Sequence, residues 1–289
     1  MSVMTATDAD LEAVRRHGFG VAYRMLGSVS EAEDVAQEAV LRLARADEPI
    51  AEPNAWITTV ATRLSISLLR SARRRRETYV GPWLPEPLIG TAGDASDAVE
   101  LADSLSQAFL VMLERLTPLE RAAFLLREVF EYDYPEVARI LERSEAGVRQ
   151  LVTRARKHIG AGRPRFDADE AERDRLLERF LAAAQDGDLA GLESVLAEDA
   201  VLYSDGGGKA TAARKPIAGA TRIARAVAAF TRRERSRGLA GRLARVNGQP
   251  GRVLRAPDGE VWSVLSIDVA GGRIRTVWIM RNPEKLTHL

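Results

Sequence analysis

Cysteine is absent from this chain of 289 residues. Its absence excludes disulfides, thiolate catalysis and cysteine-ligated metal or iron–sulfur sites, and is typical of a reducing cytoplasm. Histidine is scarce: the three copies, His17, His158 and His288, are far apart, and no residues have the spacing of metal ligands. We therefore expect neither a metal site nor a cofactor.

Long apolar runs are also lacking, and none could span a bilayer. The first residues, MSVMTATDADLEAV, have no basic segment followed by an apolar run, so we expect no signal peptide and a cytoplasmic protein. The net charge is only +1, which is low for a nucleic-acid-binding protein. Arginines nevertheless concentrate at 70–76 and 149–163, and acidic residues at 31–38 and 94–103, so local fields matter more than the total charge.

Three or four short helices are predicted between Thr117 and Ile159. Capping signals precede three of them: Thr117 with Glu120, Asp133 with Glu136, and Ser144. The last helix should run from Ser144 to about His158, after a tight turn at 142–144. This order of helix, tight turn and helix predicts a helix-turn-helix, whose second helix enters a major groove.

The predicted second helix has two faces. Val148, Leu151, Val152, Ala155 and Ile159 form an apolar stripe. The opposite arc carries side chains that donate to guanine, adenine and phosphate: Arg149, Gln150, Thr153, Arg154, Arg156 and Lys157. Taken alone, the pattern is more typical of an ordinary amphipathic helix with a solvated basic face.

Residues 10–47 predict two helices around Gly27-Ser28, the second beginning at Ser30 with Glu33 as its capping partner. The outer face of the second helix carries one leucine among acids and an amide: Asp34, Gln37, Glu38 and Leu41. An apolar centre with a polar rim favours a protein contact. A solvated helix with one stray leucine is the alternative.

A helix from about 55 to 76 follows Pro53-Asn54. One side of it carries an aromatic and then polar and basic residues: Trp56, Thr59, Arg63, Ser67, Arg70 and Arg74, with Arg73, Arg75 and Arg76 around its end. Trp56 could stack on an unpaired base while the arginines hold phosphates. Alternatively, Trp56 belongs to the core and the arginines complement the helix dipole.

Residues 77–100 predict an irregular linker, yet its apolar side chains indicate that it docks on another surface. After a second boundary at 160–164, helices at about 170–186, 188–197 and 219–233 and strands separated by turns at 247–248, 257–259 and 270–272 predict an α+β domain. We expect a curved antiparallel sheet wrapped by helices. Ile274, Trp278 and Met280 alternate and should share one face.

The three glycines at 206–208 lack the spacing of a phosphate-binding loop, and a turn that needs positive φ is favoured over an anion nest. An enzyme built on this domain would have to use Asp205, Asp268 or Tyr203, and no pairing of these groups is evident.

Several segments together carry a family resemblance. AEDVAQEAVLRL and AWITTVATRLSISLLR resemble sigma region 2, and LTPLERAAFLLREVFEYDYPEVARIL with SEAGVRQLVTRARKHI resembles region 4. The motifs YVGPWLPEPL, DGGGK and RNPEKL are more specific. Over nearly its whole length the chain resembles extracytoplasmic-function (ECF) RNA polymerase sigma factors of the group with a SnoaL-like C-terminal extension, the SigJ-like group.

The resemblance implies a multidomain fold: two all-α sigma domains, a region 2 helical bundle and a region 4 helix-turn-helix, plus a C-terminal α+β SnoaL-like cone-shaped domain. The implied boundaries are 1–77 for region 2, 78–100 for the linker with its WLPEP motif, 101–163 for region 4 and 168–289 for the regulatory domain.

The resemblance also implies a role for each set of residues. Core polymerase would contact Asp34, Gln37, Glu38 and Leu41. The −10 element would contact Asn54, Trp56, Arg63, Ser67, Arg70, Arg73 and Arg74. The −35 element would contact Ser144, Glu145, Val148, Arg149, Gln150, Thr153, Arg154 and Lys157. Regulatory contacts between the linker and the C-terminal domain would use Trp83, Leu84, Pro85, Asp205, Gly206, Gly207, Gly208, Lys209, Asn282, Pro283 and Lys285. Family members often have Asn at the position of Arg63 and Asp at that of Ser67.

The main hypothesis is a promoter-specificity subunit of RNA polymerase without catalytic activity, monomeric when free and controlled in cis by its extension. Core RNA polymerase and promoter DNA are the expected partners, and the extension is a candidate for an unknown small-molecule ligand. Two alternatives stay open: a one-component helix-turn-helix regulator with a ligand-binding domain, which leaves 30–76 unexplained, and an enzymatic C-terminal domain.

Overall fold

The computed structural model describes residues 8–46, 48, 50–90, 105–160 and 169–289, with only the backbone of residues 8–10 and 72–77. The chain forms two compact units. The first comprises residues 1–78 and 110–163, and the second comprises residues 79–109 and 164–289. The sequence also predicts a helix from about 98 to 116, and the first part of that range lies outside the described residues. None of the described helices is long and apolar enough to cross a membrane.

The first unit is helical. Its helices are α1 (Asp8–Leu26), α2 (Val29–Ala44), α3 (Pro53–Glu77), α5 (Pro118–Glu128), α6 (Tyr134–Leu141) and α7 (Glu145–Ile159), and a short helix α4 (Gln107–Leu113) crosses the boundary between the units. Helices α1, α2 and α3 pack closely. A side chain on Gly18 of α1 would place its Cβ 2.9 Å from Ile57 of α3, so this glycine permits the close approach of the two helices.

The caps explain where these helices begin. The capping boxes at Thr117 and Asp133 are both present, and the Ser144 hydroxyl accepts a hydrogen bond from the Gly147 amide, as predicted. The prediction of Ser30 as the cap of α2 is wrong. Ser28 is the cap. Gly27, at φ 67°, follows the last residue of α1, so α2 can begin at Val29, and the Ser28 hydroxyl accepts a hydrogen bond from the Glu31 amide.

The second unit contains a seven-stranded sheet in the order β1-β4-β5-β6-β7-β2-β3. The strands are β1 (Ile89–Gly90), β2 (Leu196–Asp205), β3 (Ile217–Ala218), β4 (Ala240–Val246), β5 (Gln249–Arg255), β6 (Val261–Ala270) and β7 (Arg273–Met280). Helices α8 (Glu170–Asp186), α9 (Leu189–Val195) and α10 (Ala220–Arg235) accompany it, and a 3-10 turn, Pro283–Lys285, follows β7. The α+β architecture is confirmed, but one strand pair, β2 with β7, is parallel rather than antiparallel.

The core of this unit lies between the helices and one face of the sheet. Phe180, Leu192 and Ile223 from the helices pack there with Ile267 and Val277 from the strands. The shared face predicted for Ile274, Trp278 and Met280 is wrong: Ile274, Val277 and Ile279 belong to the cluster between the helices and the sheet, whereas Trp278 and Met280 are buried but lie outside that cluster. The pairing of β6 with β7 shifts between Asp268 and Val269, and the extra residue reverses the alternation of side chains.

Candidate functional site

The outer face of α2 presents the residues expected to contact a protein. Asp34, Gln37 and Glu38 are exposed, and Leu41 is 41% exposed, which is unusual for a large apolar side chain here. The opposite face, with Val35, Ala36 and Ala39, is buried. Glu38 pairs with Arg42 at 2.7 Å, and Leu41 lies next to Arg42 along the chain. The exposed leucine therefore has polar and charged neighbours. This arrangement is typical of a contact surface with an apolar centre.

Helices α6 and α7 form the predicted helix-turn-helix. Glu142 adopts the left-handed conformation at φ 54°, and its backbone N–H donates to the last turn of α6. Ser144 then caps α7 after a turn of only three residues. The tight turn fixes the angle between the two helices and exposes the start of α7.

The two faces of α7 are separated as the sequence indicates. The buried face carries Val148, Val152, Ala155 and Ile159. The exposed residues include Ser144, Glu145, Arg149, Gln150, Thr153, Arg154 and Lys157. Val148, which the resemblance assigns to the −35 contacts, is 0% exposed, so its side chain anchors the helix and does not reach the outer face.

Contacts within the unit preorganise part of this basic face. The Arg149 guanidinium lies 4.1 Å from the centre of the Tyr134 ring and 3.5 Å from the Glu145 carboxylate. The Thr153 hydroxyl donates to the Arg149 carbonyl at 2.8 Å. Arg156, on the side of the helix, pairs with Glu128 at 2.7 Å. Arg149, Thr153 and Arg156 therefore have partners within the unit, and the Arg149 guanidinium is stacked on an aromatic ring.

Helix α3 carries the second set of predicted DNA contacts. Asn54, Arg63, Ser67 and Arg70 are exposed and Trp56 is partly buried, while the side chains of Arg73 and Arg74 lie outside the described residues.

The Arg63 side chain is bound to the helix-turn-helix. Its Nε donates to the Ile140 carbonyl at 2.9 Å, Nη2 donates to the Arg139 carbonyl at 3.2 Å, and Nη1 lies 3.0 Å from the Glu142 carboxylate. One arginine thus joins the helix expected to read the −10 element to the motif expected to read the −35 element.

A buried arginine makes a second connection within the first unit. Arg121 of α5 donates from Nη1 to the Met25 carbonyl of α1 at 2.7 Å, and its Nη2 lies 2.8 Å from Glu114. Its side chain is 4% exposed, so the charge depends on these partners. Arg63 and Arg121 thus both donate to backbone carbonyls near the ends of helices in the other half of the unit.

In the second unit the sequence motifs meet at one carboxylate. We call residues 79–90 the strap. The Asp205 side chain is fully buried and accepts hydrogen bonds from the Tyr79 hydroxyl at 2.6 Å and the Leu84 amide at 2.9 Å, both in the strap. It also accepts from the Gly207 amide at 3.0 Å and pairs with Lys285 at 2.7 Å. We call this group around Asp205 and Lys285 the clamp.

Lys285 completes the clamp from the other side. Its Nζ donates to the Leu84 carbonyl at 2.5 Å and lies 4.1 Å from the Trp83 ring centre and 4.9 Å from that of Tyr79. The Asn282 side chain donates to the Tyr79 hydroxyl at 2.8 Å. The buried ammonium is therefore satisfied by a carboxylate, a carbonyl and two aromatic faces. Burial, followed by the hydrogen bond to Asp205, raises the pKa of Tyr79 well above its usual range, which keeps its hydroxyl a donor.

The glycines of the DGGGK loop make room for the strap. Gly207 and Gly208 have φ values of 58° and 75°. A Cβ on Gly207 would lie 2.4 Å from the Asn282 amide nitrogen and 3.0 Å from the Tyr79 hydroxyl, so no larger residue fits. Lys209 at the end of the loop forms an ion pair with Glu284.

The second half of the strap extends the sheet. Leu88 donates to the Asn247 side chain at 3.1 Å and accepts from the Asn247 amide at 2.8 Å, and Ile89 then pairs with Val246 as β1 joins β4. His288 contacts the Pro87 carbonyl at 2.9 Å, and Gln107 donates to that of Pro85 at 3.0 Å. The strap is thus held by side chains and by strand pairing.

Sequence reasoning missed several of these partners. Asn247, Gln107 and His288 are not among the predicted site residues, and Tyr79 is predicted only as one of the linker side chains that dock on another surface. Tyr79 is the first residue of the YVGPWLPEPL motif, so the motif itself could have pointed to it. Asn247 was noted only as a turn residue, and its left-handed conformation at φ 51° is compatible with that role as well.

Comparison with known proteins identifies the family. Residues 11–75 match the family Sigma-70 region 2, and residues 106–159 match Sigma-70, region 4. The ECF RNA polymerase sigma factor SigJ of Mycobacterium tuberculosis (strain ATCC 25618 / H37Rv) is 40% identical to this chain over 96% of it and 93% of SigJ. The chain belongs to the ECF RNA polymerase sigma factors. The crystal structure of Mycobacterium tuberculosis SigJ matches this ECF sigma factor with a TM-score of 0.78 at 35% identity, covering 97% of this chain and 98% of that one.

A further relative has the same extent. The probable ECF RNA polymerase sigma factor SigI of Mycobacterium tuberculosis (strain CDC 1551 / Oshkosh) is 31% identical over 100% of this chain and 98% of SigI. The predicted family and fold class are therefore confirmed. As an ECF sigma factor, the protein binds core RNA polymerase and promoter DNA and directs promoter-specific initiation of transcription.

Proposed function

We propose that this ECF sigma factor is restrained in cis by its C-terminal domain, which holds the strap between regions 2 and 4. The buried clamp of Asp205 and Lys285 is the observation that carries the proposal. In this scheme the exposed face of α2 contacts core polymerase, the exposed side of α3 contacts the −10 element, and the outer face of α7 contacts the −35 element.

The restraint follows from the reach of the chain. Regions 2 and 4 must engage two separate promoter elements while they stay joined through the linker. A segment as long as the strap spans about 40 Å when fully extended. When the strap is bound to Asp205, Lys285 and β4, its extended length no longer adds to the distance that the linker can span between regions 2 and 4. Release of the strap would return the reach without any change in the DNA-binding helices.

The C-terminal domain acts in this proposal by binding and without catalysis. The Asp205 carboxylate is engaged by the strap and Lys285. Asp268 accepts a hydrogen bond from the Trp278 indole at 2.6 Å, and burial raises its pKa to about 7. Both oxygens of Asp205 accept hydrogen bonds, whereas Asp268 Oδ2 accepts from Trp278 and its Oδ1 has no hydrogen-bond partner among the described residues. In this proposal the protein works in the cytoplasm together with core polymerase.

In-vitro transcription with the full-length protein tests the restraint. Tyr79→Phe removes the hydrogen bonds to Asp205 and from Asn282 while keeping the ring against Lys285. Each lost bond contributes about 1 kcal/mol, so losing both should raise the population with a released strap roughly thirtyfold. We expect more transcript per sigma factor at subsaturating core polymerase, measured on promoters selected with the unmodified protein.

Tyr132→Phe is the matched control, because it makes the same chemical change in the first unit, whereas the strap belongs to the second unit. It should transcribe as the unmodified protein does. Hydrogen exchange of the Leu84 and Leu88 amides reports strap release directly. Faster exchange in Tyr79→Phe with unchanged or lower transcript yield would refute a restraining strap.

A further inference from the structure

An open cavity of about 620 Å³ lies in the second unit, where the end of α10 meets the start of β6 and the end of β7. Its walls combine aromatic and charged side chains: Lys209, Phe230, Glu234, Arg237, Trp262 and Arg281. The volume falls within the range of roughly 300–1,000 Å³ that small-molecule sites occupy. The residues that line this cavity do not include Tyr79, Leu84, Asp205 or Lys285 of the clamp.

The most unusual group in the cavity wall is Arg281. It is 7% exposed, and its guanidinium lies 4.3 Å from the centre of the Trp262 ring and 5.1 Å from that of Phe230. No described residue accepts a hydrogen bond from its Nε. Burial lowers its pKa from the ordinary value, because the charge has lost water without gaining a hydrogen-bonded anion. The Arg281 Nε can therefore still donate a hydrogen bond to an anionic group of a ligand.

The neighbouring groups add positive charge and a flat apolar surface. Arg237 is exposed and stacks on Trp262 at 4.6 Å. Glu234 faces Arg252 at 3.4 Å, its Oε1 has no hydrogen-bond partner among the described residues, and burial raises its pKa. Glu234 is therefore a weak counter-ion for Arg281, and the cavity retains an excess of positive charge beside two aromatic rings.

We propose that this cavity binds a small organic carboxylate with a flat apolar body. The guanidinium groups of Arg281 and Arg237 donate charge-assisted hydrogen bonds to the carboxylate, and the planar body lies against Phe230 and Trp262. A planar guanidinium suits a carboxylate because it can donate two parallel hydrogen bonds. A planar body bound against the two rings would displace water from the guanidinium groups and so strengthen these hydrogen bonds.

The cavity and the clamp share two chain segments. The amides of Arg281 and Asn282 both donate to the Asp205 carbonyl, at 2.7 and 2.9 Å. Asn282 also binds the Tyr79 hydroxyl, and Lys209 of the cavity wall pairs with Glu284 of the segment that carries Lys285. A ligand that binds the Arg281 side chain therefore contacts the residue next to Asn282, which donates a hydrogen bond to Tyr79 of the strap. This step rests on the proposed restraint of the strap, whereas ligand binding itself does not.

Isothermal titration of the full-length protein with 1-naphthoate tests binding, and naphthalene-1-carboxamide serves as the neutral probe of the same shape. We expect 1-naphthoate to bind at least tenfold more tightly than the amide. Arg281→Met and Arg237→Met should each weaken 1-naphthoate at least tenfold and leave the amide unchanged. Arg275→Met, which removes an arginine paired with Asp199 elsewhere on β7, should not alter either affinity.

Arg237→Met guards against misfolding, since Arg237 is exposed whereas Arg281 is buried. Equal affinity for both probes, unchanged affinity in both arginine variants, or no binding up to about 5 mM would overturn the site. Transcription with and without 1-naphthoate then tests the link to the strap. Binding without any change in Leu84 exchange or transcript yield would reject that link and leave the carboxylate site standing. A strap that fails the Tyr79→Phe test would refute the restraint separately.

Discussion

The clamp depends on one buried charge pair. Burying both ions costs several kcal/mol of hydration free energy for each, and mutual attraction offsets this only when the remaining hydrogen-bonding groups are satisfied. Asp205 reaches that state with four donors, and Lys285 with a carboxylate, a carbonyl and two rings. More than half of those partners belong to the strap, so strap docking and domain stability are coupled at these two residues.

Removing one member of the pair should be far more harmful than removing both. Lys285→Met leaves the Asp205 carboxylate buried without its counter-ion, so we expect the free energy of unfolding to fall by roughly 3–5 kcal/mol. The double variant Asp205→Asn, Lys285→Met should recover part of that loss. Urea unfolding followed by tryptophan fluorescence measures both values.

Lys215→Met is the control for the lysine substitution, because Lys215 is exposed in the same domain. It should change the free energy of unfolding by less than about 0.5 kcal/mol. If Lys285→Met were no more destabilising than Lys215→Met, the clamp would not be the energetic centre of the strap contact.

At the scale of single elements, α7 separates structural from recognition roles within one helix. Arg154 is exposed on the outer face, whereas Arg156 is tied to Glu128. Arg154→Ala should reduce the affinity of the holoenzyme for its promoter by about 1–3 kcal/mol if the side chain reads a base. Filter binding at several salt concentrations, on promoters selected with the unmodified protein, measures the loss.

Arg156→Ala is the matched control on the same helix. It removes the same charge but breaks an internal ion pair between exposed and half-buried groups, so promoter affinity should change much less. A shallower salt dependence in Arg154→Ala with equal loss on all sequences would assign Arg154 to phosphate instead of base contact. Equal effects of the two variants would contradict the assignment of the outer face.

Local sequence patterns predicted most helices well, because a few adjacent residues determine where a helix is capped and where the chain turns. Thr117, Asp133 and Ser144 cap their helices as expected, and the three turns between β4 and β7 fall where Asn, Asp and Gly cluster. Ser28 was missed because Ser30 offers an equivalent local pattern, and only the end of α1 decides between them. The reversal at Trp278 depends on strand register, which no local pattern contains.

The sequence predicted that the linker contacts the two motifs of the C-terminal domain, but it did not predict the individual hydrogen bonds of the clamp. The apolar linker and the two polar motifs indicated a contact, yet Tyr79, Asn247 and Gln107 contribute hydrogen bonds across more than twenty residues of sequence. The partners of Arg63 and Arg121 were equally hidden, since backbone carbonyls accept at every residue and leave no trace in the sequence.

For the molecule as a whole, the bond between Arg63 and the helix-turn-helix has a consequence for promoter binding. The Arg63 guanidinium cannot contact the Ile140 carbonyl and Glu142 while it also contacts DNA, so the two halves of the first unit should separate when the promoter is engaged. The chain has no cysteine, which allows selective labelling at introduced cysteines. Ala13→Cys in α1 with Arg139→Cys in α6 reports the distance between the halves, since both side chains are exposed.

Energy transfer between labels at positions 13 and 139 should be high in the free protein, because α1–α3 and α5–α7 form one compact unit. It should fall sharply when core polymerase and promoter DNA are added, and less or not at all with promoter DNA alone. The control pair, Ala13→Cys with Ser71→Cys, lies within α1–α3 and should keep its transfer efficiency throughout. Undiminished transfer for positions 13 and 139 in a complex that transcribes would mean that the compact unit itself binds the promoter, and Arg63 would then act as a structural residue and not as a −10 contact.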